Sequence, residues 1–84
     1  MNLVPAPVPV FAIDAGNTRV KWGLRVGEAW VARGAIASAE ARKLGRDWPP
    51  MPPGTRALGS NVGGREVQRL VYEACARHDL LLSL

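Results

Sequence analysis

The sequence is short of the residues that usually build covalent cross-links and metal centres. Among its 84 residues there is one cysteine, Cys75, and one histidine, His78. A single cysteine can form neither an internal disulfide nor the thiolate cluster of a structural zinc site. Cys75 falls on the apolar side of a predicted helix, so we expect it to be a small buried hydrophobe. His78 has no second histidine to share a metal with, so a ligand role is not expected for it.

Long hydrophobic runs are also missing. No apolar stretch reaches the roughly 18 residues that a membrane-spanning helix needs, so no membrane partner is expected. The N-terminal segment "MNLVPAPVPV" has no basic start and contains three prolines, which is atypical of a signal peptide. The expected location is therefore the cytoplasm.

Blocks of like charge are absent as well, although the chain is basic. Its net charge is +4 and its pI about 10.2, an excess that could attract nucleic acid, a membrane or a phosphate ligand. The 11 lysines and arginines are nevertheless spread along the chain and form no run of five or six. A solvated surface is the simpler interpretation, and no nucleic-acid partner is predicted.

Hydrophobic periodicity predicts five strands bounded by turn residues. They are Val8–Asp14, Arg19–Val26, Ala29–Ile36, Arg56–Ser60 and the segment 80–84. The second strand alternates most clearly, with apolar residues on one side and mostly charged residues on the other. Short turns join the first three strands, so we expect an antiparallel meander. The sequence ends inside the last predicted strand, so the domain that these strands form is expected to be incomplete.

Two helices and one irregular segment separate the later strands. A short helix is predicted over Ala39–Leu44, with Ser38 as its N-cap and Gly45 at its end. A longer helix is predicted over Gly64–Arg77, where apolar residues recur at the i, i+3, i+4 spacing. The segment 46–55 contains four prolines, which have no backbone N–H to donate, so a connecting loop on the surface is expected there.

The order of these elements indicates an α/β fold. Three antiparallel strands followed by strands reached through helical crossovers are the order of ribonuclease H-like domains, the class that includes the actin-like ATPase superfamily. The handedness of crossover connections would then place Arg56–Ser60 alongside the first strand. Such an analogy between folds does not establish a function by itself.

The turn in "DAGNTRVK" combines groups that suit a phosphate ligand. Gly16 permits close approach of the backbone, and successive turn amides can hold phosphate oxygens. Asn17 and Thr18 add side-chain donors, and Lys21 adds a positive charge. Asp14 stands at a strand end, where it can hold Mg²⁺ directly or through water. An ordinary structural turn, in which these residues only shape the bend, is an equally good reading of the residues alone.

The same residues resemble the first phosphate motif of the type III pantothenate kinases, the family also known through the Bvg accessory factor. The family pattern is Asp-x-Gly-Asn-Thr/Ser-x-x-Lys. Its fixed places are filled by Asp14, Gly16, Asn17, Thr18 and Lys21. The later segment "LGSNVGG" resembles a second family segment, a strand that ends in Ser/Asn-Val before a helix. The resemblance extends from about Val10 to the C-terminus.

The resemblance implies ATP-dependent phosphorylation of pantothenate, the first step of coenzyme A biosynthesis. It implies a two-lobed, homodimeric enzyme that needs Mg²⁺ and a monovalent cation, K⁺ or NH₄⁺. Residues 1–84 would be part of the N-terminal ATP-binding lobe. Asp14 would serve the metal and the phosphates, and the segment from Gly16 to Lys21, with Arg19 in it, would cradle the ATP phosphates.

Two further motifs of that family are not found in this sequence. Family members carry a later Gly-x-Asp-Arg motif, whose aspartate is the catalytic base and whose neighbours bind pantothenate, and then a second phosphate motif. After Asn61 the acidic residues are Glu66, Glu73 and Asp79, and none stands in such a motif. The base is therefore expected beyond residue 84, and the 84 residues alone are expected to be an inactive N-terminal fragment.

Two other classes of function remain open from the sequence. A ribonuclease H-like nuclease of the Holliday-junction resolvase type also opens with a strand, aspartate, glycine and threonine, and a basic chain would suit DNA. Two-metal cleavage needs several converging carboxylates, however, and Asn61 stands after the fourth strand where an acid would be required. A non-catalytic nucleotide-binding or interaction module is the other alternative.

Overall fold

The computed structural model describes residues 7–84, and the first six residues lie outside the described part. The strands are β1 (Val10–Ala15), β2 (Arg19–Val26), β3 (Ala29–Ala37), β4 (Arg56–Asn61) and β5 (Leu82–Ser83). A 3₁₀ helix spans Ser38–Lys43, and an α-helix, α1, spans Arg65–Arg77. No helix within residues 7–84 is long and apolar enough to cross a membrane.

The five strands form one mixed sheet in the order β3-β2-β1-β4-β5. β1 pairs antiparallel with β2, and β2 pairs antiparallel with β3, which confirms the predicted meander. β4 lies parallel to β1 on its other edge, and β5 lies parallel to β4. The α/β class and the predicted position of the fourth strand are therefore correct.

One face of this sheet carries the hydrophobic core. Phe11, Ile13 and Ala15 of β1 point to that face, together with Val20 and Leu24 of β2, and all five are buried. Residues of α1, of the 3₁₀ helix region and of the following loop cover them and complete one cluster. The alternation seen in β2 is thus confirmed, and its charged residues point to the opposite face, which no described element covers.

Two tryptophan rings pack against glycines of the neighbouring strand, one on each face of the sheet. The indole of Trp22 lies over Gly34, where a Cβ atom would come within 2.5 Å of the ring. The ring of Trp30 lies over Gly23 from the other side, where a Cβ atom would come within 2.7 Å. Both glycines are therefore required by close packing against a ring and not by a turn.

The proline-rich segment 46–55 is more than a surface connection, which corrects the sequence-based expectation. Its Trp48 is only 7% exposed and belongs to the core. The Trp48 ring centroid lies 4.5 Å from that of Phe11, 6.2 Å from that of Trp22 and 5.0 Å from that of His78. The prolines keep the backbone out of regular structure, and a single large side chain anchors the segment to the sheet.

The predicted N-cap at Ser38 is wrong. Ser38 is the first residue of the 3₁₀ helix, and no side chain caps this helix. The Ser38 hydroxyl instead donates a hydrogen bond to the carbonyl oxygen of Gly16 at 2.8 Å. The short helix predicted over Ala39–Leu44 is confirmed as a 3₁₀ helix over Ser38–Lys43, and Glu40, with φ −105°, interrupts its regular geometry.

β1 begins later in the chain than the sequence predicts, and β5 is shorter than predicted at both ends. β1 begins at Val10, because Pro9 has no N–H for the ladder, although its carbonyl accepts a hydrogen bond from the Arg56 N–H at 2.9 Å. β5 covers only Leu82–Ser83 of the predicted segment 80–84. The Leu80 N–H is used to end α1, where it donates to the Cys75 carbonyl at 2.9 Å.

Replacement of Trp48 tests whether the proline-rich segment is part of the core. Trp48→Ala should lower the free energy of unfolding by about 3–5 kcal/mol, because it leaves a cavity among aromatic rings. Trp30→Ala is the matched control and should cost clearly less, since Trp30 is 42% exposed. Urea unfolding followed by circular dichroism measures both. Equal losses at the two positions would contradict a core role for Trp48.

The environment of Cys75 predicts an unreactive thiol, as expected for a buried hydrophobe. Cys75 is 1% exposed, and burial raises its pKa to about 11. The unfolded thiol has a pKa of about 8.5, so the folded state holds this proton more tightly and loses stability as the pH rises from about 8.5 to 11. At pH 8 a thiol reagent should label Cys75 only after unfolding in urea. Labelling of the native chain at the rate of the urea-unfolded chain would contradict this.

Candidate functional site

The residues singled out from the sequence meet at one edge of the sheet, where β1 and β4 both end. Asp14 of β1 lies between two neighbours in register, Lys21 of β2 on one side and Ser60 of β4 on the other. Paired residues project to the same face, so all three side chains point to the uncovered face of the sheet. In open α/β sheets the carboxyl ends of parallel strands are the usual place for ligands.

Asp14 presents a carboxylate without a cationic partner. Its Oδ1 accepts a hydrogen bond from the Ser60 hydroxyl at 3.0 Å, and the contact is exposed to solvent. Lys21 stands directly opposite, yet the ion pairs of the described residues do not include an Asp14–Lys21 pair. A carboxylate and an ammonium thus stand side by side without neutralising each other, which leaves both available to a ligand that carries a metal ion and phosphates.

The metal-binding capacity of this edge is limited. Within residues 7–84 no group of three or more histidine, cysteine or acidic side chains is arranged to hold a metal ion. Asp14 would therefore have to hold a cation with water and ligand oxygens as the other partners. That donor set fits Mg²⁺, which commonly keeps several waters and uses one or two carboxylates beside substrate phosphates.

The Gly16 N–H is not available to a ligand, so fewer turn amides can hold phosphate oxygens than the sequence predicts. Its N–H donates to the Arg19 carbonyl at 2.8 Å and closes the hairpin. Its carbonyl accepts from the Ser38 hydroxyl, and the neighbouring Thr18 carbonyl accepts from the Ser38 N–H at 2.8 Å. Gly16 and Ser38 therefore hold the turn in place and do not line it.

The tip of the hairpin, Asn17 and Thr18, keeps its donors free. Both residues are exposed, and their N–H groups have no hydrogen-bond partner within residues 7–84. Arg19 follows and is also exposed, on the same face of β2 as Lys21. The tip thus offers two backbone donors, two polar side chains and two cations close to the Asp14 carboxylate.

A second loop, between β4 and α1, packs against the hairpin. The Val62 N–H donates to the Ala15 carbonyl at 2.8 Å. Gly63 approaches so closely that a Cβ atom there would lie 2.7 Å from the Gly16 carbonyl oxygen. Gly64 follows with φ +93°, a conformation that favours glycine. The segment "LGSNVGG" is therefore built to bring the start of α1 to the same edge as the hairpin.

Asn61 keeps this second loop in shape. Its side-chain amide donates to the Gly64 carbonyl and to Gln68 Oε1, each at 3.1 Å, and its Oδ1 accepts from the Gly63 N–H at 3.1 Å. α1 begins next, and the N–H groups of its first turn lack intrahelical acceptors, which suits an anion.

Sequence reasoning placed six residues at this site: Asp14, Gly16, Asn17, Thr18, Arg19 and Lys21. The structure places all six in or beside one hairpin, with Gly16 as a structural member. It adds Ser60, which holds Asp14, and Ser38, which holds Gly16. Ser60 lies in the second motif and could have been found from it, whereas nothing in the local sequence around Ser38 points to the hairpin.

No protein-family model matches the chain. Individual relatives do match it. The type III pantothenate kinase of Aromatoleum aromaticum is 43% identical over 65 residues, 77% of this chain and 27% of that protein. The type III pantothenate kinase of Nitrosospira multiformis is 37% identical over 68 residues, 81% of this chain and 26% of that protein. The one from Chromobacterium violaceum is 47% identical over 55 residues, 66% of this chain and 23% of that protein.

The chain spans about a quarter of the length of these curated relatives. The matches agree with the resemblance found in the hairpin motif. By its sequence, this chain belongs to the type III pantothenate kinase family, of which it represents about a quarter of the length.

Proposed function

We propose that this chain is the phosphate-binding part of an ATP-dependent kinase that phosphorylates pantothenate, the first step of coenzyme A biosynthesis. One observation carries the proposal. The Asp14 carboxylate and the Lys21 ammonium stand next to each other without an ion pair, beside a hairpin tip with free donors, in a chain related to type III pantothenate kinases.

Each group of the hairpin has a role in this proposal. Asp14 holds Mg²⁺ through a carboxylate oxygen or a bound water, with Ser60 fixing the rotamer of its side chain. The N–H groups of Asn17 and Thr18 donate to phosphate oxygens. Lys21 and Arg19 offset the negative charge of the phosphates. When bound, Mg²⁺ would neutralise phosphate charge, and the chain's own residues would position it.

The architecture of the proposed enzyme rests on the order of elements and on the family. We infer a ribonuclease H-like lobe of the actin-like ATPase type, because the meander, the parallel β4 and the α1 connection to β5 follow that order. Residues 1–84 would be a partial N-terminal ATP-binding lobe, with residues 46–55 as its proline-rich connection. A second lobe, a homodimer, a monovalent cation and a cytoplasmic location complete the proposal.

We place the general base outside the described residues. Glu66 and Glu73 lie on the outer side of α1, where both bind Arg69 at 2.6 Å. The hydrogen bond from Arg69 holds the pKa of Glu66 below its usual range, which makes it a poor proton acceptor. Asp14 is assigned to the metal. We therefore assign proton removal from a substrate hydroxyl to a residue outside the described part of the chain.

The described residues argue against one of the two alternative functions and are compatible with the other. A two-metal nuclease needs converging carboxylates, whereas the carboxylate at this edge has Ser60 and Lys21 as its neighbours and no acidic cluster lies within residues 7–84. A non-catalytic nucleotide-binding module uses the same hairpin and differs from the proposal only in the absence of turnover by the longer protein.

The 84-residue chain alone should not phosphorylate pantothenate. The expected result is no ADP above a no-enzyme blank with ATP, Mg²⁺, K⁺ and pantothenate, because we place the base outside these 84 residues. A coupled assay on a homogeneous preparation measures this, with a full-length relative as the positive control. Turnover by the pure chain would contradict the assignment of the base to a region outside it.

Binding of ATP by the chain tests the roles of Lys21 and Asp14. Lys21→Ala should weaken Mg·ATP binding roughly tenfold or more, since a charge-assisted contact is lost. Asp14→Asn should leave binding of metal-free ATP intact or stronger, because it removes a negative charge, while the preference for Mg·ATP over free ATP falls towards one. Isothermal titration calorimetry with and without Mg²⁺ measures both effects.

Arg46→Ala is the control for charge, since Arg46 is an exposed cation in the loop after the 3₁₀ helix. It should change affinity little. The melting temperature of every variant is measured in parallel. Variants at Asp14 and Lys21 that lose several degrees of stability but bind Mg·ATP like the parent chain would show that the hairpin is only a structural turn.

A further inference from the structure

The turn between β1 and β2 is open, although the register of the two strands would allow a closed one. Ala15 pairs with Val20, so Gly16 and Arg19 face each other at the end of the ladder. Residues in such a hydrogen-bonded pair normally exchange two bonds. The Gly16 N–H donates to the Arg19 carbonyl at 2.8 Å, whereas the return bond, from the Arg19 N–H to the Gly16 carbonyl, is not formed within residues 7–84.

The Ser38 hydroxyl occupies the Gly16 carbonyl in place of the Arg19 N–H. It donates to that carbonyl oxygen at 2.8 Å, in a partly buried contact. The Ser38 N–H donates to the Thr18 carbonyl, also at 2.8 Å, and this second bond fixes Ser38 against the turn. The Gly16 carbonyl is therefore directed to the end of β3 and not across the hairpin.

The loop between β4 and α1 leaves room for the Gly16 carbonyl in this direction. A Cβ atom at Gly63 would lie 2.7 Å from the carbonyl oxygen, so only a glycine fits beside it. The hydrogen bond from the Val62 N–H to the Ala15 carbonyl, at 2.8 Å, holds the loop in place. Contacts with two segments that are distant in the sequence thus keep the turn open.

The pairing of β2 with β3 does not use the Arg19 N–H either. Arg19 pairs with Ala37, and the bond from the Ser38 N–H to the Thr18 carbonyl marks this as a pair of the non-hydrogen-bonded kind. The N–H and the carbonyl of Arg19 therefore both point towards the turn. The carbonyl is used there by Gly16, and the N–H has no acceptor within residues 7–84.

The open turn adds a third backbone donor to the two at the hairpin tip. The N–H groups of Asn17, Thr18 and Arg19 follow one another in the chain, and none has a partner in the described part of the chain. Successive N–H groups in a turn form a concavity that binds anions. A closed turn would use the Arg19 N–H internally and leave a ligand with two such donors.

We propose that Ser38 is a positioning residue of the phosphate hairpin, whose hydroxyl keeps the turn open and so keeps the Arg19 N–H for a phosphate oxygen. The inference rests on the proposed function and adds one donor to its phosphate site. Ser38 acts through the Gly16 carbonyl and needs no contact with the ligand. A purely structural role for Ser38 is the competing explanation, and it predicts a loss of stability without a specific loss of phosphate binding.

Hydrogen exchange at the Arg19 amide tests the open turn without any ligand. Ser38→Ala removes the hydroxyl, so the Gly16 carbonyl should accept from the Arg19 N–H and close the turn. Exchange of this amide, followed by NMR on the whole chain, should then slow at least roughly tenfold, because a hydrogen-bonded amide exchanges only after it opens. Ser38→Thr keeps a hydroxyl and should retain the fast exchange of the parent chain. Ser38→Cys has a weaker donor and should lie between the two.

Binding of Mg·ATP, measured by calorimetry on the same variants, tests whether the third donor serves the ligand. Ser38→Ala should weaken binding roughly tenfold, because a hydrogen bond to a charged phosphate oxygen is lost. Its melting temperature should fall by less than about 4 °C, since the Gly16 carbonyl gains a new donor. Ser38→Thr should restore most of the affinity.

Thr55→Val is the matched control. The Thr55 hydroxyl also donates to a backbone carbonyl, that of Pro52 at 2.6 Å, in a partly buried contact. Thr55 precedes β4 and so lies at the end of that strand remote from the hairpin. Its replacement should lower the melting temperature at least as much as Ser38→Ala does and should leave Mg·ATP affinity unchanged.

Three results would overturn the inference. Fast exchange of the Arg19 amide in Ser38→Ala would mean that Ser38 does not keep the turn open. Slowed exchange with the affinity of the parent chain would mean that the Arg19 N–H does not bind phosphate, and the proposed function would stand if Lys21→Ala still weakened binding. Equal affinity of the parent chain, Lys21→Ala and Ser38→Ala would remove the proposed function and this inference with it.

Discussion

The position of β1 between β2 and β4 is the constraint on which the rest of the structure depends. β1 is the one strand of the meander that is paired on both edges to strands of different direction, antiparallel to β2 and parallel to β4. Its alternation buries Phe11, Ile13 and Ala15 and turns Asp14 outward. A slip of one residue would bury the carboxylate and expose Ile13, so the hydrophobic core fixes the position of Asp14. The position of the candidate site is thus set by the packing of the core residues of β1.

The site is assembled from two loops that depend on each other. The hairpin supplies the charged and donor groups, while the β4–α1 loop supplies support through Gly63 and through the hydrogen bond from Val62 to Ala15. Ser38 adds a third support from the end of β3. The Ala15, Gly16 and Thr18 carbonyls accept hydrogen bonds from backbone N–H groups or from the Ser38 hydroxyl. Because these bonds hold both ends of the turn, its tip can remain exposed without losing its shape. Rigid support of this kind would keep the free donors of the tip preorganised for the phosphate ligand proposed above.

Local periodicity explains what the sequence could predict. β2 has its predicted limits, and α1 differs only at Gly64, because alternation and the i, i+3, i+4 spacing are properties of neighbouring residues. The hairpin motif is likewise contiguous, so its residues were identifiable. Ser38 and Trp48 could not be placed, since their roles depend on contacts with residues far away in the sequence, such as Gly16 and Phe11.

The two glycines beneath tryptophan rings limit how this sheet can vary over time. Any substitution of a glycine introduces at least a Cβ atom, and at Gly34 that atom would displace the indole of Trp22, which packs against the core. At Gly23 the same change would lift Trp30 from the opposite face. Arg33 and Ala35, which flank Gly34, point to the uncovered face and have no such restriction. Tolerance to mutation should therefore alternate along β3 around Gly34, and substitutions should accumulate at Arg33 and Ala35 before they are accepted at Gly34.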